Sequence, residues 1–162
     1  NVCPNELLVM HAGRGIRHSQ MNGSSIKRDH HLQLWFVPRQ RAGTPAVEHA
    51  RFDPVLRRNS WELWASGHSE PGVPVIDAEA WVFRALLQPG SLLSPPIHGA
   101  RSNYLHVGTG HIEVQLMDGL ESTTALMAGD AIALPYATSF CVKAVKAAEL
   151  FLIQQPELRD PT

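Results

Sequence analysis

The sequence consists largely of short apolar runs separated by turns that are rich in glycine, proline and polar residues. No stretch shows the 3.6-residue period of an amphipathic helix, and the 12 Gly and 12 Pro favour turns over helices. Strands at regular spacing with turns between them are typical of an antiparallel barrel or sandwich of jelly-roll type. The sequence therefore predicts an all-β fold with no helix longer than one or two turns.

The pattern places strands in two groups, separated by residues 43–54, which have two prolines and no clear period and are predicted to be a linker. Residues 108–110 (Gly-Thr-Gly) are predicted to be a hairpin turn, and Ile112 and Val114 are expected to face inward on the strand that follows. The predicted strands are residues 6–11, 31–37, 61–65, 73–76, 80–87, 104–107, 111–117, 131–134, 140–145 and 149–153.

Residues 10–22 (MHAGRGIRHSQMN) have the pattern of a strand, a tight turn and a return strand. Gly13 and Gly15 supply the backbone freedom that such a turn needs. On the return strand, His18 and Gln20 are two residues apart, so both side chains are expected on one face of it. They are therefore candidates for a common metal site or pocket.

Residues 12–22 (AGRGIRHSQMN) and 31–45 (HLQLWFVPRQRAGTP) resemble the closing half of the first barrel of pirin and the bacterial pirin-like quercetinases, a branch of the cupins. A weaker likeness continues to about Pro156. The resemblance implies a cupin jelly roll with two parts: the closing half of a first cupin at residues 1–45 and a complete second cupin at residues 46–162. It also implies that the chain is N-terminally truncated relative to the family.

The resemblance implies that His18 matches one of four ligands to a divalent metal, which would be iron, nickel, copper or manganese. Gln20 stands where the family has a glutamate, and the earlier His-x-His pair has no counterpart. An amide binds divalent ions more weakly than a carboxylate and cannot act as a general base. We interpret His18 and Gln20 as the relic of a metal site and expect no cofactor unless other donors rebuild that site.

Residues 90–140 keep the glycine and proline spacing of a second cupin motif, but most of its ligands are replaced. His98 remains, whereas Ala100 and Phe140 occupy places where the family motif has histidines. One histidine cannot hold a metal, because such sites need at least three ligands. The second barrel is therefore predicted to be metal-free, and the predicted pocket residues at its mouth are His98, Arg101 and Tyr104.

Two functions remain open at this point. The favoured one is a non-catalytic, regulatory cupin that binds a small aromatic molecule or a protein, and the alternative is a metal-dependent dioxygenase of the quercetin 2,3-dioxygenase type. Unpaired strand edges are expected in the incomplete first barrel, and such edges recruit partners. The sequence therefore predicts a homodimer that forms through residues 5–40.

Composition and charge also bear on the expected location of the protein and on the kinds of partner it can bind. The chain is 44% hydrophobic and 18% charged, without the ~18 consecutive apolar residues of a membrane span and without a visible signal peptide, so the cytoplasm is the expected location. Residues 1–51 hold seven Lys/Arg against three Asp/Glu, but these cations are scattered over turns, which argues against nucleic-acid binding. The four tryptophans are predicted to pack in the core and between the two parts: Trp35, Trp61, Trp64 and Trp81.

Overall fold

A computed structural model describes residues 1–40, 42–53, 55, 58–96, 101–117, 122–135 and 138–156. This part of the chain forms nine strands and no helix, as the sequence predicts. Within it, no segment is both helical and long and apolar enough to cross a bilayer. The strands are β1 (Glu6–His11), β2 (Ala46–Arg51), β3 (Trp61–Ser66), β4 (Trp81–Leu87), β5 (Leu92–Leu93), β6 (Ser102–Leu116), β7 (Thr123–Met127), β8 (Ala131–Leu134) and β9 (Phe140–Gln155).

Strands β3 to β9 form one antiparallel sheet that is organised around its two longest strands, β6 and β9. β8 pairs with the beginning of β6 and β7 with its end, while β5 pairs with the beginning of β9 and β4 with its end. The two long strands therefore pass from one half of the sheet to the other, and the halves face each other across a shared core. This is the jelly-roll arrangement that the spacing of the apolar runs predicts.

The prediction of a hairpin at residues 108–110 is wrong, because β6 continues through them. Register shifts against β9 occur here, and the strand bends without reversing. Gly110 has φ of +93°, and a Cβ on it would lie 2.1 Å from the Ala147 carbonyl oxygen. Glycine is thus needed for a bend and a close approach of two backbones. The two strands predicted at 140–145 and 149–153 are likewise one strand, β9, which pairs with β6 on both sides of the register shifts.

The barrel core lies between the two halves of this sheet and takes alternate residues from its strands. Leu105, Val107, Ile112 and Val114 of β6 are at most 1% exposed, which confirms the predicted inward orientation of the last two. Leu150 and Leu152 of β9 are fully buried opposite them. Burying one such side chain contributes roughly 1.5–3 kcal/mol, so this row dominates the stability of the barrel.

We call residues 1–53 the first lobe and residues 58–156 the second lobe. The first lobe has a two-stranded sheet in which β1 pairs with β2, so residues 46–51, predicted to be part of a linker, are a strand. The predicted return strand that carries His18 and Gln20 and the strand predicted at residues 31–37 are absent, because no described strand lies alongside to pair with them. Residues 73–76 likewise make only isolated bridges, at Val73 and Val75.

A second, smaller core joins the lobes on the outer side of β3, β4 and β9. Val9 of β1 is buried against it, and Leu7 and Phe36 of the first lobe pack on its edge. Beside this core, the buried Arg84 donates to Glu149 (2.6 Å) and to Asn5 of the first lobe (2.8 Å). The lobes are therefore held together by both apolar and polar contacts.

Candidate functional site

The two predicted relic ligands do not form a metal centre with other described residues. His18 and Gln20 are both exposed, and they lie in a segment without strand pairing. Nearby histidines are engaged with single carboxylates: His11 with Glu48 at 3.6 Å and His49 with Glu6 at 3.1 Å. Nowhere in the described part of the chain do three or more His, Cys, Asp or Glu side chains gather as ligands would. The donor set there does not fit a divalent metal.

Of the three predicted pocket residues, His98 lies outside the described residues. The guanidinium of Arg101 lies 3.5 Å from the ring centroid of Trp81 and 3.9 Å from a carboxylate oxygen of Glu79. Tyr104 is 46% exposed and lies on the outer face of β6, opposite to the inward-facing Leu105. The structure therefore does not bring Arg101 and Tyr104 to one face.

Tyr104 instead lines a cavity of about 460 Å³ at the junction of the lobes, which we call the lobe groove. Its floor is the outer face of the sheet where β6, β8 and β9 meet. Ser102 pairs directly with Gln155, and Tyr104 pairs with Ile153 on one side and with Ala133 on the other. These five side chains therefore form one continuous surface. Leu134 and Pro135 continue the surface at the end of β8.

The opposite wall of the lobe groove is formed by Leu34, Trp35 and Phe36 of the first lobe, which we call the aromatic wall. Phe36 is half-buried and packs on the core that joins the lobes, which holds one end of this wall against the second lobe. Trp35 is 85% exposed, so the prediction that the tryptophans pack in the core or between the two parts is wrong for it, whereas Trp64 and Trp81 are buried. An exposed indole beside an apolar cavity offers a flat surface for a ring to stack on.

No side chain among the described residues that line the lobe groove carries a charge. One polar residue of the described lining, Asn103, is buried and accepts a hydrogen bond from Gln154, and the other polar groups lie on the floor: the Ser102 hydroxyl, the Tyr104 hydroxyl and the Gln155 amide. None of these three is used in a hydrogen bond within the described part of the chain. The groove thus combines apolar and aromatic surface with a few free donors and acceptors along one edge, which is the composition of small-molecule sites.

Sequence reasoning found one groove residue, Tyr104, and missed the aromatic wall. The signal was present in residues 31–37, where Leu34 and Phe36 alternate with Trp35 and Val37. That run was interpreted as a strand with one buried face. The partner of this run is the outer face formed by β6, β8 and β9, whose first residue in the groove, Ser102, lies more than sixty residues later in the chain. A contact of that range leaves no local pattern.

Comparison with known proteins gives one family match. Residues 63–154 match the family described as the quercetinase C-terminal cupin domain. This range runs from Leu63 within β3 to Gln154 near the end of β9, and so holds nearly all of the barrel core.

Curated relatives and a solved structure extend the likeness to most of the chain. The quercetin 2,3-dioxygenase of Escherichia coli K12 is 27% identical over 151 residues, covering 93% of this chain and 61% of that protein. A pirin-like protein of Caulobacter vibrioides is 28% identical over 149 residues, 91% of this chain and 61% of that one. The crystal structure of the bacterial pirin YhhW from Escherichia coli in complex with nickel(II) matches with a TM-score of 0.80 and 25% identity, covering 96% of this chain and 63% of YhhW. The chain thus spans about three-fifths of the length of these relatives.

Proposed function

This chain belongs to the pirin-like branch of the cupins, through a quercetinase C-terminal cupin at residues 63–154, and on that premise we propose that it is a non-catalytic module that binds a small aromatic molecule in the lobe groove. The observation that carries the proposal is the groove itself, which has a volume of about 460 Å³ and aromatic side chains both on its floor and in the aromatic wall. That volume lies within the roughly 300–1,000 Å³ of sites for small organic ligands.

The lining of the groove defines the class of ligand. Because none of the lining residues that the structure describes is charged, a charged ligand would lose its hydration without gaining a charged partner from them. A flat ring system fits between the sheet face and Trp35, while hydroxyl or carbonyl groups on one edge can bond to Ser102, Tyr104 and Gln155. The expected ligand is therefore a neutral, planar aromatic molecule with a polar edge.

The test is a fluorescence titration with Nile red, a neutral planar dye whose emission rises in apolar surroundings. Ala133 is exposed on the groove floor, so Ala133→Arg fills the groove without disturbing a core position. The matched control is Ala125→Arg, because Ala125 is an exposed alanine of β7 that does not line the groove. We expect Ala133→Arg to abolish saturable binding and Ala125→Arg to leave it unchanged. Equal binding by wild type and both variants would place the dye elsewhere and contradict the proposal.

The second candidate is a metal-dependent quercetin 2,3-dioxygenase. It is favoured by the names of the curated relatives and by the nickel(II) in the YhhW crystal structure. The dispersed donors around His18 oppose it in this chain. The separating experiment measures metal content by mass spectrometry and oxygen uptake with quercetin, after incubation of the protein with iron, nickel, copper or manganese salts. Near-stoichiometric metal together with uptake that is lost in His18→Ala would establish the second candidate over the first.

A further inference from the structure

We infer that Arg39 is the residue that positions the aromatic wall, and that its ion pairs make the binding of an uncharged ligand sensitive to salt. The inference rests on the proposed function of the lobe groove. It concerns a first-lobe side chain that does not line the groove and that acts through the segment it anchors.

Arg39 follows the aromatic wall by three residues and is bound at several points to one loop of the second lobe, residues 67–79. Its guanidinium donates to the carbonyl oxygens of Gly67 and Ala78, the latter at 3.2 Å. The same group lies 3.4 Å from a carboxylate oxygen of Glu79 and 4.0 Å from one of Asp77. All four acceptors belong to the second lobe, so the side chain ties the segment after the wall to the sheet that forms the floor.

The loop is shaped to receive this arginine. A Cβ at Gly67 would lie 1.9 Å from the carbonyl oxygen of Ala78 and 3.0 Å from the Arg39 guanidinium, so only glycine fits at this position. The backbone N–H of Arg39 also donates to the Asp77 carbonyl at 2.8 Å, and this bond would remain after a change of side chain. A substitution at Arg39 therefore removes the side-chain anchor alone.

The side-chain anchor matters because little else holds the wall in place. Leu34 is 38% exposed and Trp35 is 85% exposed, and Phe36 is the one wall residue that packs on the core joining the lobes. Without the guanidinium contacts, the wall would spend more time away from the floor, and a ligand would have to draw it back. The ion pairs of Arg39 are themselves about two-fifths exposed, and salt screens pairs of that kind.

The experiment compares wild type with Arg39→Lys and Arg39→Gln in Nile red titrations at about 0.02 M and about 0.5 M salt. The matched control is Arg51→Gln. The Arg51 side chain is 79% exposed, forms an ion pair with Glu6 and does not line the groove. We expect Arg39→Gln to raise the Kd for Nile red about five-fold at low salt. Arg39→Lys should show a smaller rise, because lysine keeps the positive charge but lacks the several N–H donors of the guanidinium. Salt should raise the Kd of wild type and of Arg51→Gln about two- to three-fold but leave Arg39→Gln unchanged.

Amide hydrogen exchange of the unliganded proteins supplies a readout that needs no ligand. The backbone amides of residue 39 and of Gln40, which donate to the carbonyl and the carboxylate of Asp77, should exchange faster in Arg39→Gln than in wild type, whereas those of β4 and β9 should be unaffected. If dye binding is blocked by Ala133→Arg but Arg39→Gln matches wild type in Kd, salt response and exchange, the inference about Arg39 is wrong and the groove stands. If wild type does not bind the dye in the groove, the proposed function fails, and the exchange of the amides of residues 39 and 40 still decides whether the Arg39 side chain holds this segment.

Discussion

Arg84 is the polar residue whose loss should weaken the junction of the lobes most. Its side chain is 7% exposed and that of Glu149 is 23% exposed, and the two are joined at 2.6 Å across β4 and β9. Arg84 also donates to Asn5 and lies 4.7 Å from the ring centroid of Trp64. Arg84→Met keeps the apolar stem but leaves the Glu149 carboxylate without its cation. Removing one partner of a buried pair costs about 3–5 kcal/mol, and the partial access of Glu149 to water places the expected loss near the lower end, at about 3 kcal/mol.

The double variant Arg84→Met/Glu149→Leu separates the interaction from the packing. One guanidinium nitrogen of Arg84, Nη1, is already buried without a hydrogen-bond partner, so the wild-type pair carries an uncompensated desolvation cost. Replacing both charges by apolar side chains should therefore recover most of the stability, to within about 1 kcal/mol of wild type. The assay is urea unfolding followed by tryptophan fluorescence, with the free energy of unfolding compared across the four proteins of the cycle. A loss below about 1 kcal/mol in Arg84→Met, or a double variant less stable than either single one, would refute the reasoning.

Three further predictions follow from other parts of the molecule. Gly110→Ala should lower the free energy of unfolding by at least about 2 kcal/mol, because φ is +93° and the Cβ would meet a backbone oxygen, whereas Gly129→Ala, strained but in open space, should cost less in the same urea assay. The pKa of the Glu6 carboxyl lies below its ordinary 4.5, chiefly because its carboxylate accepts a hydrogen bond from the Cys3 N–H. Desolvation opposes this effect and the His49 ring adds to it, and the ionised carboxylate therefore stabilises the fold at pH values above 4.5. That contribution is lost as the pH falls through the lowered pKa, and acid unfolding curves of Glu6→Gln should lack this part of the pH dependence while keeping the rest. Of the 16 large apolar side chains exposed in the described part of the chain, 8 lie in residues 5–40, the segment through which two chains are predicted to pair; sedimentation velocity should show a dimer that Trp35→Glu dissociates, and a wild-type monomer at all concentrations would end that prediction.

The sequence predicted the parts of the fold that depend on local alternation. β1, β3, β4 and β8 lie within a residue of where the apolar runs place them, because each run is bounded by its own turn signals. The local pattern gave a wrong prediction where glycine lies within a strand and not in a turn. Gly108 and Gly110 look like a hairpin turn, but both sit in a strand that bends under contact with β9, some forty residues later. The fold class survived this error, since strand order depends on long-range pairing and not on that one turn.

The candidate site was only partly accessible to sequence reasoning. His18 and Gln20 could be picked out because a motif has fixed spacing, yet their exposure follows from what packs beside them, which the motif does not encode. The lobe groove has no motif at all. It arises where residues 34–36 meet the outer face of β6 and β9, and its two walls are far apart in the chain. No local pattern marks Arg39 either, because its partners are backbone oxygens and carboxylates of residues 67–79, which belong to the second lobe.

The most direct test of the account is a crystal structure of the protein grown with both Nile red and nickel(II), with anomalous data collected at the nickel edge. The account predicts electron density for the dye between Trp35 and Tyr104. It predicts no anomalous peak at a position where His18 and further protein donors could coordinate nickel. A nickel ion held by His18 and other side chains of this chain, with the lobe groove empty of dye, would contradict it.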